Sequence, residues 1–98
     1  MALPVRWSPK AARQMEAIVE YIAEDSPRYA AIFARRIMST VRAIPANPRI
    51  GRMVPEYADP DLREKIVQGY RIVYRIGPRA IEVVTVCHGS IEACTKRA

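Results

Sequence analysis

Apolar positions in the first half of the chain recur at helical spacing. After Pro9 they fall at Ala12, Met15, Val19 and Ile22, with Ala11 and Ile18 beside them. After Pro27 they resume at Ala30, Phe33, Ile37, Val41 and Ile44. Steps of three and four residues place such side chains on one stripe, so the pattern predicts two amphipathic helices. Each is preceded by the same signature, Ser8-Pro9 and Ser26-Pro27. The serine hydroxyl can accept from a free first-turn N–H, and proline has no N–H to leave unsatisfied there. Pro45 and the Asn47-Pro48 pair stop the second helix. The residues between Glu24 and Ser26 are then the turn of an antiparallel helical hairpin.

The last third changes period. Tyr70, Ile72, Tyr74 and Ile76 alternate with Arg71, Val73, Arg75 and Gly77, which is strand periodicity. Residues 62–67 form a candidate strand before it, with Gln68-Gly69 as the tight turn between them. Gly77-Pro78 marks the next turn. Residues 81–86 are β-branched apart from Glu82 and read as a well-buried strand. Residues 3–7 are a candidate edge strand. Residues 45–61, with four prolines and Gly51, form a loop without the Gly/Ser richness of a flexible linker. Gly51 is expected in a turn conformation that a Cβ resists. The order β-αα-βββ predicts an α+β fold, a two-helix hairpin packed on one face of a mainly antiparallel sheet.

The length of 98 residues suits one domain spanning 1–98. No run of about 18 apolar residues is present, and residues 1–7 are too short for a signal peptide, so a cytoplasmic, non-membrane protein is expected. Cys87, His88 and Cys94 supply three potential zinc ligands at unfamiliar spacing where four are usual. Packed or idle thiols are therefore expected, with no metal and no cofactor. The net charge is +6, unevenly placed: residues 1–25 hold three basic and four acidic side chains, and the remainder holds thirteen and six. A basic body favours anionic partners, either nucleic acid or an acidic protein segment.

If Tyr70, Ile72, Tyr74 and Ile76 face the helices, Arg71 and Arg75 point away from them, about 13 Å apart. Arg63 and Lys65 share a face of the preceding strand. With a matching register the four cations would line one exposed face suited to a phosphate backbone. The other reading is a solvated polar face, common in one-sided antiparallel sheets. His88 is the only histidine and follows the last apolar strand. It is either a proton-transfer group or a structural hydrogen-bonding residue. No nucleophile elbow, metalloprotease motif, P-loop or dinucleotide fingerprint is present.

Several segments, in order, resemble ParE-type toxins of the RelE/ParE superfamily. Trp7-Ser8-Pro9 with Ala11-Ala12 is similar to the opening of that family. Tyr21-Ile22-Ala23 followed by Ser26-Pro27 and Ala30 is similar to its inter-helix turn. Asn47-Pro48-Arg49-Ile50-Gly51-Arg52 resembles its "NP-x-x-GR" loop, and Arg63-Glu64 with Tyr70-Arg71-Ile72-Val73-Tyr74-Arg75-Ile76 its central hairpin. The resemblance runs from about residue 5 to residue 88. It implies the toxin of a type II toxin–antitoxin pair, neutralised by a cognate antitoxin that joins a DNA-binding domain to a disordered tail. Promoter DNA would be bound only through that antitoxin.

Two targets divide the superfamily. A ParE-like member inhibits DNA gyrase as a binding protein, and a RelE-like member cleaves mRNA on the ribosome. A degenerate member would only bind its antitoxin. The target-binding candidates are Arg63, Lys65, Arg71, Arg75 and His88, and a nuclease would rely on Arg71, Arg75 and His88. RelE-like nucleases often place an aromatic acid/base near the C-terminus, whereas nothing aromatic follows Tyr74 here. Arginine is a poor proton donor, which leaves only His88 for proton transfer and favours the gyrase reading. After His88 many relatives continue with arginines, whereas Gly89-Ser90-Ile91-Glu92 follow in this chain.

Overall fold

The structure is a computed structural model describing residues 2–89. A short strand β1 (Val5–Trp7) leads into helices α1 (Pro9–Asp25) and α2 (Pro27–Ala43). Two 3-10 turns follow, Ile44–Ala46 and Pro48–Ile50. The chain then forms β2 (Arg52–Met53), β3 (Leu62–Val67), β4 (Tyr70–Ile76) and β5 (Ile81–His88). The sheet order is β1-β5-β4-β3-β2, with β1 parallel to β5 and every other pairing antiparallel. The α+β arrangement of a helical hairpin on a mainly antiparallel sheet is therefore present. β2 adds a fifth strand that two residues of sequence could not signal.

Both serine caps form. Ser8 Oγ accepts from Ala11 N at 3.0 Å and Ser26 Oγ from Tyr29 N at 3.1 Å. α2 buries Ala30, Phe33, Ile37 and Val41, as its stripe predicts. α1 packs Met15, Ile18, Val19 and Ile22 against the core as its stripe predicts and buries Ala11 fully, while Ala12 alone of that stripe lies on the outer side. Ala11, Phe33, Ile37 and Val41 pack with Ile72, Val83 and Val86 to form the main core between helices and sheet. Tyr74 and Ile81 continue that face against Ile44.

α1 also covers the edge of β5 beyond the end of β1. Ser8 N donates to Val83 O, Ser8 Oγ donates to Val84 O, and Val86 N donates to Gln14 Oε1. Sheet edges left with free N–H and C=O groups invite pairing with other chains, and here the α1 cap residue Ser8 and the Gln14 side chain occupy those groups. Gln68 and Gly69 both have positive φ, 52° and 84°, the primed turn whose twist matches the two strands it joins.

The pairing of β4 with β5 shifts between Val73, opposite Thr85, and Tyr74, opposite Val83. Val84 is the extra residue of this bulge. Val83 consequently packs into the main core and Val84 against Val54, Leu62 and Val73 on the opposite face. This explains why residues 81–86 show no alternation in sequence.

The expectation for Gly51 is corrected in its cause. Its φ of −66° and ψ of 147° are open to any residue. An added Cβ would instead overlap the Tyr74 hydroxyl and approach the Glu64 carbonyl to 2.9 Å. Cys87, expected as a packed or idle thiol, is disulfide-bonded. Cys94, the tail from Ser90 and any contribution from Lys96 or Arg97 lie outside the described residues. No helix among the described residues is long and apolar enough to cross a membrane.

Candidate interaction surfaces

The register of β3 on β4 decides which cations share a surface. Directly opposed residues of an antiparallel pair project to the same face. Arg63 is opposite Tyr74 and Lys65 opposite Ile72, whereas Glu64 is opposite Val73 and Ile66 opposite Arg71. Arg71 and Arg75 do lie on the face away from the helices, but Arg63 and Lys65 lie on the helix side. The four-cation face expected from a matching register does not form.

Each of these residues has a distinct setting. Arg63 donates to three backbone oxygens, those of Pro60, Arg49 and Gly51, and so holds the loop before β3. Lys65 is half-buried near the outer end of β3. His88 is opposite Tyr70 and meets its ring edge-on at 5.2 Å, while Tyr70 in turn meets Phe33 at 5.1 Å. His88 thus belongs to the helix side, on the opposite face of the sheet from Arg71 and Arg75.

Arg71 is 7% exposed and Glu64 1%. Arg71 Nε donates to Glu64 Oε1 at 2.6 Å, and its two terminal nitrogens donate to the two oxygens of Glu56 at 3.0 and 2.9 Å. The second oxygen of Glu64 accepts from Arg52 Nε. A fourth bond from Arg71 reaches the Gly89 carbonyl at 3.3 Å. The hydrogen bonds to Glu56, assisted by Glu64, outweigh burial and push the guanidinium further above its ordinary range. Arg71 therefore ties β3, the loop before it and the end of β5 together, with its donors already used.

Leu62, Glu64 and Ile66 are the alternate positions of β3 that an apolar face would occupy. An acid in that phase, opposite a strand carrying Arg71, was the one available sign of this pair.

Arg75 is exposed and donates to Asp59 Oδ2 at 2.9 Å. The Asp59 carboxyl is held below its usual range, first by the Asp61 backbone N–H and then by Arg75. Beside this pair is a cavity of about 460 Å³ floored by Leu62, Val73 and Val84, with Lys10 and Tyr57 on its walls. Lys10, Tyr57 and Asp59 were not singled out in the sequence. Lys10 belongs to α1 and the other two to the loop, so only the fold brings them to this face. No group of three or more potential metal ligands occurs among the described residues.

Two further surfaces flank α2. Between α1 and α2 lies an apolar groove of about 420 Å³ lined by Trp7, Ala12, Met15, Val19, Ala34 and Met38, with Glu16 and Glu20 on its rim. On the other flank a polar depression of about 470 Å³ is lined by Arg35, Arg36, Ser39 and Thr40 and reaches Val67 of β3. β2 pairs only with Arg63 and Glu64, so residues 65–67 have no outer strand partner among the described residues.

Comparison with known proteins agrees with this architecture. A family model described as the ParE toxin of the type II toxin–antitoxin system parDE matches residues 5–93. A protein of Sinorhizobium fredii (strain NBRC 101917 / NGR234) named "Putative toxin Y4kP" is 36% identical over 89 residues, which covers 86% of this chain and 85% of that protein. A chain from the chromosomal ParDE toxin–antitoxin system of P. aeruginosa superposes with a TM-score of 0.73 at 19% identity, over 89% of this chain and 96% of that one. A chain of the YoeB dimer from Staphylococcus aureus superposes with a TM-score of 0.60 at 14% identity, over 91% and 99%. With a family match across nearly its whole length and a fold shared with ParDE and YoeB, the chain belongs to the ParE toxin family of type II toxin–antitoxin systems.

Proposed function

We propose that this toxin acts as a gyrase-inhibiting binding protein of the cytoplasm, neutralised by a cognate antitoxin, and not as a ribosome-dependent endonuclease. The observation that carries this reading is the separation of the nuclease candidates. RNA cleavage through the 2′-hydroxyl needs a proton acceptor, a proton donor and charge stabilisation converging on one phosphate. His88 lies on the helix side of the sheet, edge-on to the Tyr70 ring. Arg71 and Arg75 lie on the other side, Arg71 saturated by two carboxylates and Arg75 paired with Asp59. A single phosphate cannot meet all three in this arrangement. Arg63 is bonded to loop carbonyls and Lys65 is on the helix side, which leaves Arg75 as the candidate best presented to a target on the helix-free face.

The antitoxin is proposed to lie along the helical hairpin and the open end of β3. The apolar groove beside α2 suits an amphipathic segment, and the unpaired edge at residues 65–67 suits strand addition. A disordered antitoxin tail that orders on these surfaces, attached to a DNA-binding domain, would bring the toxin to promoter DNA without direct contact.

The test of the non-nuclease reading is induced expression of wild type and His88→Ala, with cellular mRNA ends mapped during growth arrest. Growth arrest of equal depth by both, without new mRNA cleavage, is expected. New cleavages that disappear in His88→Ala would overturn the reading in favour of the endonuclease. Full tolerance of the wild type would indicate a degenerate member.

A further inference from the structure

The two surfaces beside α2 carry opposite charge. Glu16 and Glu20 are exposed on the rim of the apolar groove, with Glu24 one turn further along α1. Arg35 and Arg36 are exposed at the polar depression on the far flank of α2. None of these five side chains belongs to an ion pair among the described residues. The overall charge of +6 would by itself favour an acidic partner everywhere, yet the charged side chains that line this groove, Glu16 and Glu20, are both acidic.

Covering an unpaired carboxylate removes its hydration, and without a counter-charge the cost is large. A segment that fills the groove therefore needs cations beside its apolar anchors. A segment that continues over α2 to the open end of β3 passes the two arginines and needs anions there. Complementary potentials of this kind also suppress wrong partners and wrong registers.

Resting on the reading that an antitoxin occupies these surfaces, we propose that the bound segment is charge-segregated. It carries Lys or Arg flanking apolar side chains in the α1/α2 groove, and Asp or Glu where it meets Arg35, Arg36 and the end of β3. The two charge blocks fix which way the segment runs across α2, which apolar contacts alone would leave open.

The test measures affinity of the purified cognate antitoxin for wild type, Met38→Asp, Glu16→Lys/Glu20→Lys and Arg35→Glu/Arg36→Glu, each checked for an unchanged melting temperature. Met38 is 36% exposed on the groove wall, so its variant tests whether the groove is used at all. Each charge reversal is expected to weaken binding at least about tenfold at low salt, with the difference shrinking as salt rises. Tighter binding, or no change, on reversing Glu16 and Glu20 would overturn the charge-segregation proposal while a loss in Met38→Asp left the docking reading standing. No loss in Met38→Asp, or no binding by the wild type, would instead overturn the docking reading and this proposal with it.

Discussion

The two faces of the sheet are stabilised by different physics. The covered face is an apolar core in which Phe33, Ile37 and Val41 of α2 meet Ile72, Val83 and Val86. The bare face has only a small apolar patch of Val54, Leu62 and Val73. There Glu64 and Arg71 are buried as charges, loop residue Glu56 closes over them through its ion pair with Arg71, and loop residue Asp59 pairs separately with the exposed Arg75. On the first face stability scales with area removed from water. On the second it depends on every partner being present, because a buried charge left alone is far costlier than the pair is favourable. Two helices cover one side of this sheet, and an ion-paired loop partly covers the other.

The sharpest way to break that contrast is to remove one large group from each face. Phe33→Ala should cost about 3–5 kcal/mol through lost burial and the cavity left behind. Glu64→Ala should cost a similar ~3–5 kcal/mol by leaving Arg71 short of a buried partner. Chemical denaturation separates the causes through the double variant Glu64→Leu/Arg71→Met, which restores apolar packing without charge. It should recover most of the Glu64→Ala loss, and a double variant no more stable than Glu64→Ala would show that the charges themselves are required.

Gly51→Val comes next, at roughly 1–3 kcal/mol for overpacking against Tyr74 and the Glu64 carbonyl. An unshifted melting temperature would mean that the loop moves aside freely.

Tyr74→Phe removes the hydroxyl that donates to the Pro48 carbonyl, for about 0.5–1.5 kcal/mol. Burial raises the Tyr74 pKa above its ordinary 10.0. Its contribution is therefore complete below pH 10 and lost as pH rises through the folded value. Wild type should lose stability above pH 10 more steeply than Tyr74→Phe, as thermal melts across pH 8–11 would show.

The smallest effect is at the exposed Asp59–Arg75 pair. The Asp59 pKa is lowered, so whatever it contributes is present at neutral pH and fades as acid protonates it. Asp59→Asn should leave the melting temperature at pH 7 nearly unchanged, and a large drop would place this pair with the buried network instead.

Much of the fold was legible because it follows from local periodicity. Ser8-Pro9, Ser26-Pro27, the α2 stripe and the alternation of β4 each depend on a few neighbouring residues. The bare face was less legible because it depends on pairing between segments. The alternation of β3 fixes that Arg63 and Lys65 share a face, but only the register on β4 places them opposite Tyr74 and Ile72 rather than beside Arg71. The burial of Arg71 likewise needs Glu56, fifteen residues away and brought over by the loop. Arg75 and the cavity beside it join residues from α1, the loop and three strands, and no local motif carries that information. The groove beside α2 joins Trp7 to residues of both helices, with Ala12 exposed in it, and the spacing within one helix does not carry that.

The proposed function is gyrase inhibition without RNA cleavage. The most direct measurement is ATP-dependent supercoiling of relaxed plasmid by purified gyrase, with this protein titrated in and the plasmid resolved by gel electrophoresis. Loss of supercoiling or accumulation of linear DNA with rising protein is the expected result. Undiminished supercoiling at every excess of protein would contradict the claim.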